Sequence, residues 1–287
     1  AIPPSAQGAE VGWAEESPLR ALPTIHSVEQ MDRFEVAKPD AGLRGTAIDW
    51  WQQMKAFAAE TKVTFNGQEG RVDVSALNLA GLSPHMLAVD LVGEDFYWWM
   101  LEYPEDCHRF LEKITQGEIE SEEYNRKIDP RPRGDVYGLA EDSATMMSAK
   151  LFREFCVPYA EKLFNRYGKG GRSVHNCGNS IHLLKALKED MKMTSYEVFG
   201  YLVPPKVAAQ YLGGTTLLWG NINPMLMLSG SKAEVKQAAM ECLEALAPCG
   251  GLMLGDGANV CPHTPLESFH AMMEAAEEYG TGNGKQE

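Results

Sequence analysis

Asp135-Val-Tyr-Gly-Leu139, the stretch from Ser148 to Tyr167, and Arg172-Ser-Val-His175 with the Asn176-Cys177 that follows it decide the fold of this chain. The outer pieces are short and β-rich. The middle piece carries Leu151, Phe152, Phe155, Tyr159, Leu163 and Phe164 on one helical stripe and stops at Gly168. This strand, helix, strand order continues downstream. A helix Ile181 to Lys188, a strand Tyr196 to Phe199, a helix after Pro204-Pro205, a strand Thr215 to Gly220, a helix Lys232 to Ala247 and a strand Gly251 to Gly255 follow in turn. Thr264 as N-cap and Pro265 at the first helical position open a last helix that runs to Tyr279. Repeated βα units predict a parallel sheet covered by helices. The expected fold class is α/β, a (β/α)8 TIM-type barrel with an incomplete or atypical N-terminal part.

Upstream the pattern is less regular. Val63 to Gly67 and Arg71 to Leu77 read as strands, Ser83 to Met100 and Pro104 to Tyr124 as helices, and residues 1–50 as loop and short helix. The strands so counted fall one short of the eight that close a barrel. The expected organisation is an irregular segment 1–60, a barrel over 61–280 and a flexible polar tail 281–287. The start, Ala1-Ile-Pro-Pro, lacks both Met and a signal-peptide pattern, and reads as a truncated beginning.

A chain of 287 residues can bury a full core, and one domain is the default. With 44% hydrophobic and 23% charged residues, and no run of roughly 20 apolar residues, it reads as a soluble, cytoplasmic protein. A net charge of −14 opposes any function that tracks nucleic acid through its phosphates. The six cysteines have no dense, regular spacing and read as thiols rather than a disulfide framework, with Cys156 and Cys242 as core residues.

The chemistry is concentrated at the predicted strand ends. A strand alternates its side chains, so His175 and Cys177 point the same way and offer one imidazole and one thiol together. That is half of a zinc site. Cys261, in the loop Gly255-Asp-Gly-Ala-Asn-Val-Cys261, is the candidate third ligand; three protein ligands with an open position are the pattern of catalytic zinc. Such an ion could activate a thiol or polarise an ether oxygen and ease the movement of a methyl group. In a parallel barrel the loops after the strands converge on one face. Glu141 and Asp142, Glu197, Asn221 and Asn223, and Asp256 and Asn259 therefore join the candidates. Glu141 is read as a fourth ligand or as the acid that protonates a leaving group; the bland alternative is an acid at a helix N-terminus. Glu197, Asn221, Asp256 and Asn259 are read as substrate-binding. His182 fits a helix face and His263 a surface loop. Phe96 to Met100 is either core or the wall of a pocket for a flat ring. Neither a phosphate-binding glycine loop nor a serine nucleophile elbow is found.

Ser143 to Tyr167, Val174-His-Asn-Cys-Gly178, Gly220-Asn-Ile-Asn-Pro224, Gly255 to Glu267 and Met272 to Tyr279 together resemble the uroporphyrinogen decarboxylase superfamily, over roughly residues 80–280. The His-x-Cys pattern is similar to its branch of zinc methyltransferases that work with corrinoid proteins, among them methylcobamide:coenzyme M and O-demethylase methyltransferases. The resemblance implies a (β/α)8 barrel, zinc on His175, Cys177 and a later cysteine, and a cobalamin cofactor carried by a partner protein. In the coenzyme M enzymes that later cysteine falls where this chain has Ala258, three positions before Cys261. The resemblance thus implies a methyl group moved between a small substrate and the cobalt of a corrinoid protein. The alternative is a metal-free decarboxylase of a porphyrinogen-like polycarboxylate, although the Arg-rich N-terminal motif of those enzymes is absent.

Overall fold

The structure, a computed structural model, describes residues 1–12, 19–79 and 81–283. Its contacts divide the chain into two units, Ala1–Gly134 and Asp135–Glu287. In the first, helices α1 (Ile2–Ala6), α2 (Val28–Asp32) and α3 (Gly42–Glu60) precede α4 (Pro84–Val92), α5 (Asp95–Glu102) and α6 (Pro104–Ile128). Two antiparallel hairpins pair β1 (Glu10–Gly12) with β2 (Arg20–Leu22) and β3 (Lys62–Phe65) with β4 (Gln68–Arg71).

Segment 1–60, expected to be irregular, therefore ends in a helix of 19 residues. Ile48, Trp51 and Ala58 of α3 are buried, but Trp50, Met54 and Phe57 face outward. With apolar residues on both sides, no single stripe marks the helix in sequence. The strand expected over Arg71 to Leu77 stops at Arg71, and 72–79 has no regular ladder. This segment is strapped down instead. The Arg131 guanidinium donates to the carbonyls of Val74 and Ser75 at 2.7 and 3.0 Å, and the Asp129 carboxylate accepts the Leu77 N–H at 2.9 Å. The helix expected over Ser83 to Met100 is two helices, separated at Gly93, whose φ of 86° leaves the helical region. Phe96 and Met100 lie in the core, whereas Trp98 is exposed.

In the second unit the βα repeat holds. Strands β5 (Val136–Ala140), β6 (Gly171–His175), β7 (Ser195–Glu197), β8 (Leu217–Ile222) and β9 (Leu252–Asp256) lie in chain order, and each neighbour pair is parallel. Helices α7 (Ala149–Phe155) and α8 (Val157–Tyr167), α9 (Leu184–Glu189), α10 (Pro205–Leu212), and α11 (Pro224–Ser229) with α12 (Lys232–Leu246) connect them, and α13 (Leu266–Asn283) closes the unit. This is an α/β fold of the parallel-barrel type. Among the described residues the parallel sheet has five strands and neither hairpin joins it, so the barrel expected over 61–280 takes its parallel strands from residue 136 onward.

Local chemistry explains the departures from the expected boundaries. One helix from Ser148 to Tyr167 is interrupted at Cys156, because Pro158 has no N–H to donate back and its ring crowds the preceding turn. The strand expected to reach Phe199 ends at Glu197, because Val198 takes a positive φ of 49°. The last helix begins at Leu266, and the Thr264 hydroxyl donates to the Cys261 carbonyl at 2.8 Å. That helix runs on to Asn283, so 281–283 of the expected tail are helical, and 284–287 lie outside the described residues. The stripe of α7 and α8 is core as read, with Phe152, Phe155, Leu163 and Phe164 fully buried, and Cys156 and Cys242 are buried too. No helix among the described residues is long and apolar enough to cross a membrane.

Candidate metal centre

The centre is built at the C-terminal ends of β5 and β6. His175 is the last residue of β6, in register with Ala140 of β5 and Glu197 of β7. Past it the chain keeps alternating for two residues. Asn176 turns inward and is 1% exposed, and it bolts the two strand ends together. Its Nδ2 donates to the Glu141 carbonyl at 2.7 Å, and its Oδ1 accepts the Gly178 N–H at 3.1 Å. His175 and Cys177, on either side of it, remain partly exposed on the other face. The Gly200 N–H reaches the Asn176 carbonyl, and a Cβ at Gly200 would fall 2.2 Å from the Gly178 carbonyl oxygen, so only glycine lets the β7 loop pass this closely.

Asp142 completes the group. One ligand atom each from Asp142, His175 and Cys177 lie within 4.8 Å of one another. The Cys177 N–H donates to Asp142 Oδ1 at 2.8 Å, and the same oxygen is 3.6 Å from His175 Nε2. Burial pushes the Cys177 thiol up to about 11, and the carboxylates of Asp142 and Asp256 add to the shift. The charges that act on this sulfur are thus negative, and the thiol would ionise only beside a cation. Thiol, imidazole and carboxylate are donors that zinc takes, and an ion would relieve the crowding of acidic groups. The donor set fits the metal.

The remaining candidates fall at different depths. Glu141 is buried at 1% exposure; burial raises the thiol of Cys156, in the break between α7 and α8, and the Glu141 carboxylate adds to that shift. It is not among the donors gathered with His175 and Cys177; its neighbour Asp142 is. Cys261 also lies outside that group, with Sγ 3.9 Å from the sulfur of Met225. Asp256 ends β9, acts on Cys177 and accepts the Ala258 N–H at 3.1 Å. Glu197 is half-buried at the end of β7, and Asn259 is exposed in the loop after β9. Asn221, expected to bind substrate, uses its amide N–H groups within the fold. Its Nδ2 donates to the carbonyls of Gly200 and Val203 at 3.2 and 2.7 Å, fastening the loop after β7. Asn223 caps α11, accepting the Met225 N–H at 2.9 Å. His182 and His263 are exposed, as read.

The family model described as Uroporphyrinogen decarboxylase (URO-D) matches residues 1–279. The chain belongs to this family. Among its relatives, the methylcobamide:CoM methyltransferase MtaA of Methanosarcina barkeri is 28% identical over 206 residues, which is 68% of this chain and 56% of that protein. The uroporphyrinogen decarboxylase of Coxiella burnetii is 22% identical over 196 residues, 65% of this chain and 51% of that enzyme. The chain thus spans little more than half the length of these relatives. A methyltransferase from Methanosarcina mazei has a similar fold, with a TM-score of 0.72 at 20% identity, covering 97% of this chain and 78% of that one.

In this URO-D chain the sequence offers both Glu141 and Asp142 at the end of β5 and favours Glu141, whereas the structure sets Asp142 beside His175 and Cys177. The missed signal is the end of the strand. β5 stops at Ala140 and a 3-10 turn starts at Asp142, so the alternation that pairs His175 with Cys177 no longer tells which of two adjacent acids faces them.

Proposed function

We propose that this chain carries a zinc-dependent methyltransferase site, which moves a methyl group between a small substrate and the cobalt of a corrinoid held by a partner protein. The reading rests on one observation above all, the thiol, imidazole and carboxylate of Cys177, His175 and Asp142 gathered at the strand ends. The methylcobamide:CoM methyltransferase among its relatives supports the choice of methyl transfer over decarboxylation. His175, Cys177 and Asp142 would hold the zinc, with Cys261, outside this group in the loop after β9, as a further donor; when bound, zinc acts as a Lewis acid toward a thiol or ether oxygen of the substrate. Asp142 also accepts the Cys177 N–H, which fixes its carboxylate beside the pair. Glu197, Asp256 and Asn259 line the approach from β7 and β9.

Metal analysis tests the reading. Protein prepared with zinc should hold about one equivalent, Cys177→Ser should hold less than about a tenth of that, and methyl transfer to or from a free corrinoid should fall with it. The same measurement on Asp142→Asn and Cys261→Ser ranks the two remaining donors. Asp142→Asn should lose most of the metal, whereas Cys261→Ser should weaken it at most about 10- to 100-fold. A preparation with negligible zinc that is unchanged by Cys177→Ser, and that releases CO2 from a porphyrinogen without corrinoid, would replace this proposal with the decarboxylase reading.

A further inference from the structure

The first unit carries a two-part hollow that has no role in the chemistry above. Its larger part, about 670 Å³, runs between α3 and the strapped segment 72–79 and is walled by Trp50, Trp51, Met54, Phe57 and Val72. Pockets of this size accept small molecules. Trp50 and Phe57 are 64% and 69% exposed, an unusual cost for large apolar side chains on a helix whose other face already supplies the core. The smaller part, about 370 Å³, shares the wall of Ala58, Val72, Asp73 and Val74 and adds Lys55, Arg71 and Arg131.

The charges of the smaller part are unequally matched. Arg131 is taken up by Asp129, through bonds of 2.8 and 3.0 Å, and by the carbonyls of Val74 and Ser75. Lys55 and Arg71 make no ion pair among the described residues; Lys55 Nζ sits over the Trp51 ring, 4.3 Å from its centre, at the seam between the two parts. Asp73 is 3.9 Å from Arg131 and its side chain is 99% exposed, so it extends into water rather than covering the two free cations. An apolar trough with two indole rings therefore opens onto a cationic end.

We propose that this hollow binds an anionic amphiphile, a carboxylate with an apolar tail, with the tail along Trp50, Trp51, Met54 and Phe57 and the head at Lys55 and Arg71. Desolvation of the tail supplies affinity, and the two cations select the sign of the head. The site is independent of the methyl-transfer reading and uses no residue of the metal centre.

Calorimetric titration of the full chain with dodecanoate, dodecyltrimethylammonium and dodecanol tests the inference. Dodecanoate should bind below its micelle-forming concentration and about tenfold or more tighter than the cationic chain. Both Lys55→Glu/Arg71→Glu and Phe57→Ser should weaken it about tenfold, with circular dichroism unchanged because all three side chains are exposed. Equal binding of all three probes, no binding of dodecanoate, or indifference to Lys55→Glu/Arg71→Glu would overturn the proposal. Sedimentation that shows a dimer lost in Phe57→Ser would assign the trough to a second copy instead.

Discussion

In the first unit the C-terminal half of α6 turns Glu118, Ser121, Glu122 and Asn125 into the interior, at helical spacing, and meets them with arginines. The Arg44 guanidinium donates to Glu118 at 2.6 Å and to Ser121, and Glu122 accepts from Arg126 and Arg133 at 2.7 and 3.2 Å. In the second unit the buried polar residue that joins the two strand ends is Asn176, uncharged and hydrogen-bonded to backbone, and although Glu141 is buried nearby, the gathered donors Asp142, His175 and Cys177 stay partly open. The contrast is between charge buried in pairs, which holds a helix in place, and charge kept at the surface of a sheet end, where a metal and a substrate can reach it. Paired buried charge is costly to break and contributes little chemistry; half-exposed donors do the reverse.

The strongest way to break the comparison is Arg44→Met. Arg44 and Glu118 have side-chain exposures of 2% and 3%, and desolvation already raises the Glu118 carboxyl against the pull of Arg44. Removing the cation leaves that acid buried with no counter-charge. We expect a loss of about 3–5 kcal/mol in urea unfolding, with Arg44→Met/Glu118→Leu recovering most of it. A loss under about 1 kcal/mol would mean that the pair is already wet and that the two units do not differ in this respect.

A second test uses pH. The Arg131 guanidinium beside Asp129, helped by the Leu77 N–H, holds the Asp129 carboxyl well below its ordinary value of 3.8. A carboxyl depressed by folding contributes stability that is fully present above its unfolded value and lost as pH falls toward the folded one. The strap over 72–79 should therefore loosen below about pH 4. Asp129→Asn should cost about 1–2 kcal/mol at pH 7, discounted because Arg131 is partly exposed, and the difference from the parent should shrink in acid. Limited proteolysis within 72–79 reads this directly. A cleavage rate that does not change between pH 7 and 3 would show that the ion pair does not hold the strap.

Legibility in sequence divides the same way. The βα repeat from Val136 to Asp256 and the His175, Cys177 pair are visible because each rests on neighbours in sequence: a stripe, a glycine stop, an alternation of two. Asp142 and Cys177 lie 35 residues apart, and their contact depends on the register of β5 against β6, which no local pattern states. Cys261 sits five residues beyond β9, where the chain has turned at Asp256 and Gly257 and no longer follows strand geometry. In the first unit the expected helix from Pro104 faded at Tyr124, although it runs to Ile128, because its inward stripe changes from Phe110, Leu111 and Ile114 to Glu118, Glu122 and Asn125. A reading that looks for apolar faces has no way to see a buried polar one. Only the partner, Arg44, 74 residues away, makes sense of it.

The last test asks whether what is easy to read is also what holds the protein together. Ser231 opens α12 with a full capping box: its hydroxyl accepts the Glu234 N–H at 3.3 Å, and the Glu234 carboxylate accepts the Ser231 N–H at 2.8 Å. The two residues are three apart, and the motif is legible without any knowledge of the fold. Ser231→Ala should cost only about 1 kcal/mol in thermal unfolding, since water can replace an exposed cap bond. That is a fraction of the expected loss at Arg44, a residue no local pattern singles out. A Ser231→Ala loss as large as that of Arg44→Met would reverse the ranking and place the weight of the second unit on its local signals. The expected result says that local motifs set where elements begin, while contacts remote in sequence set how firmly they stay.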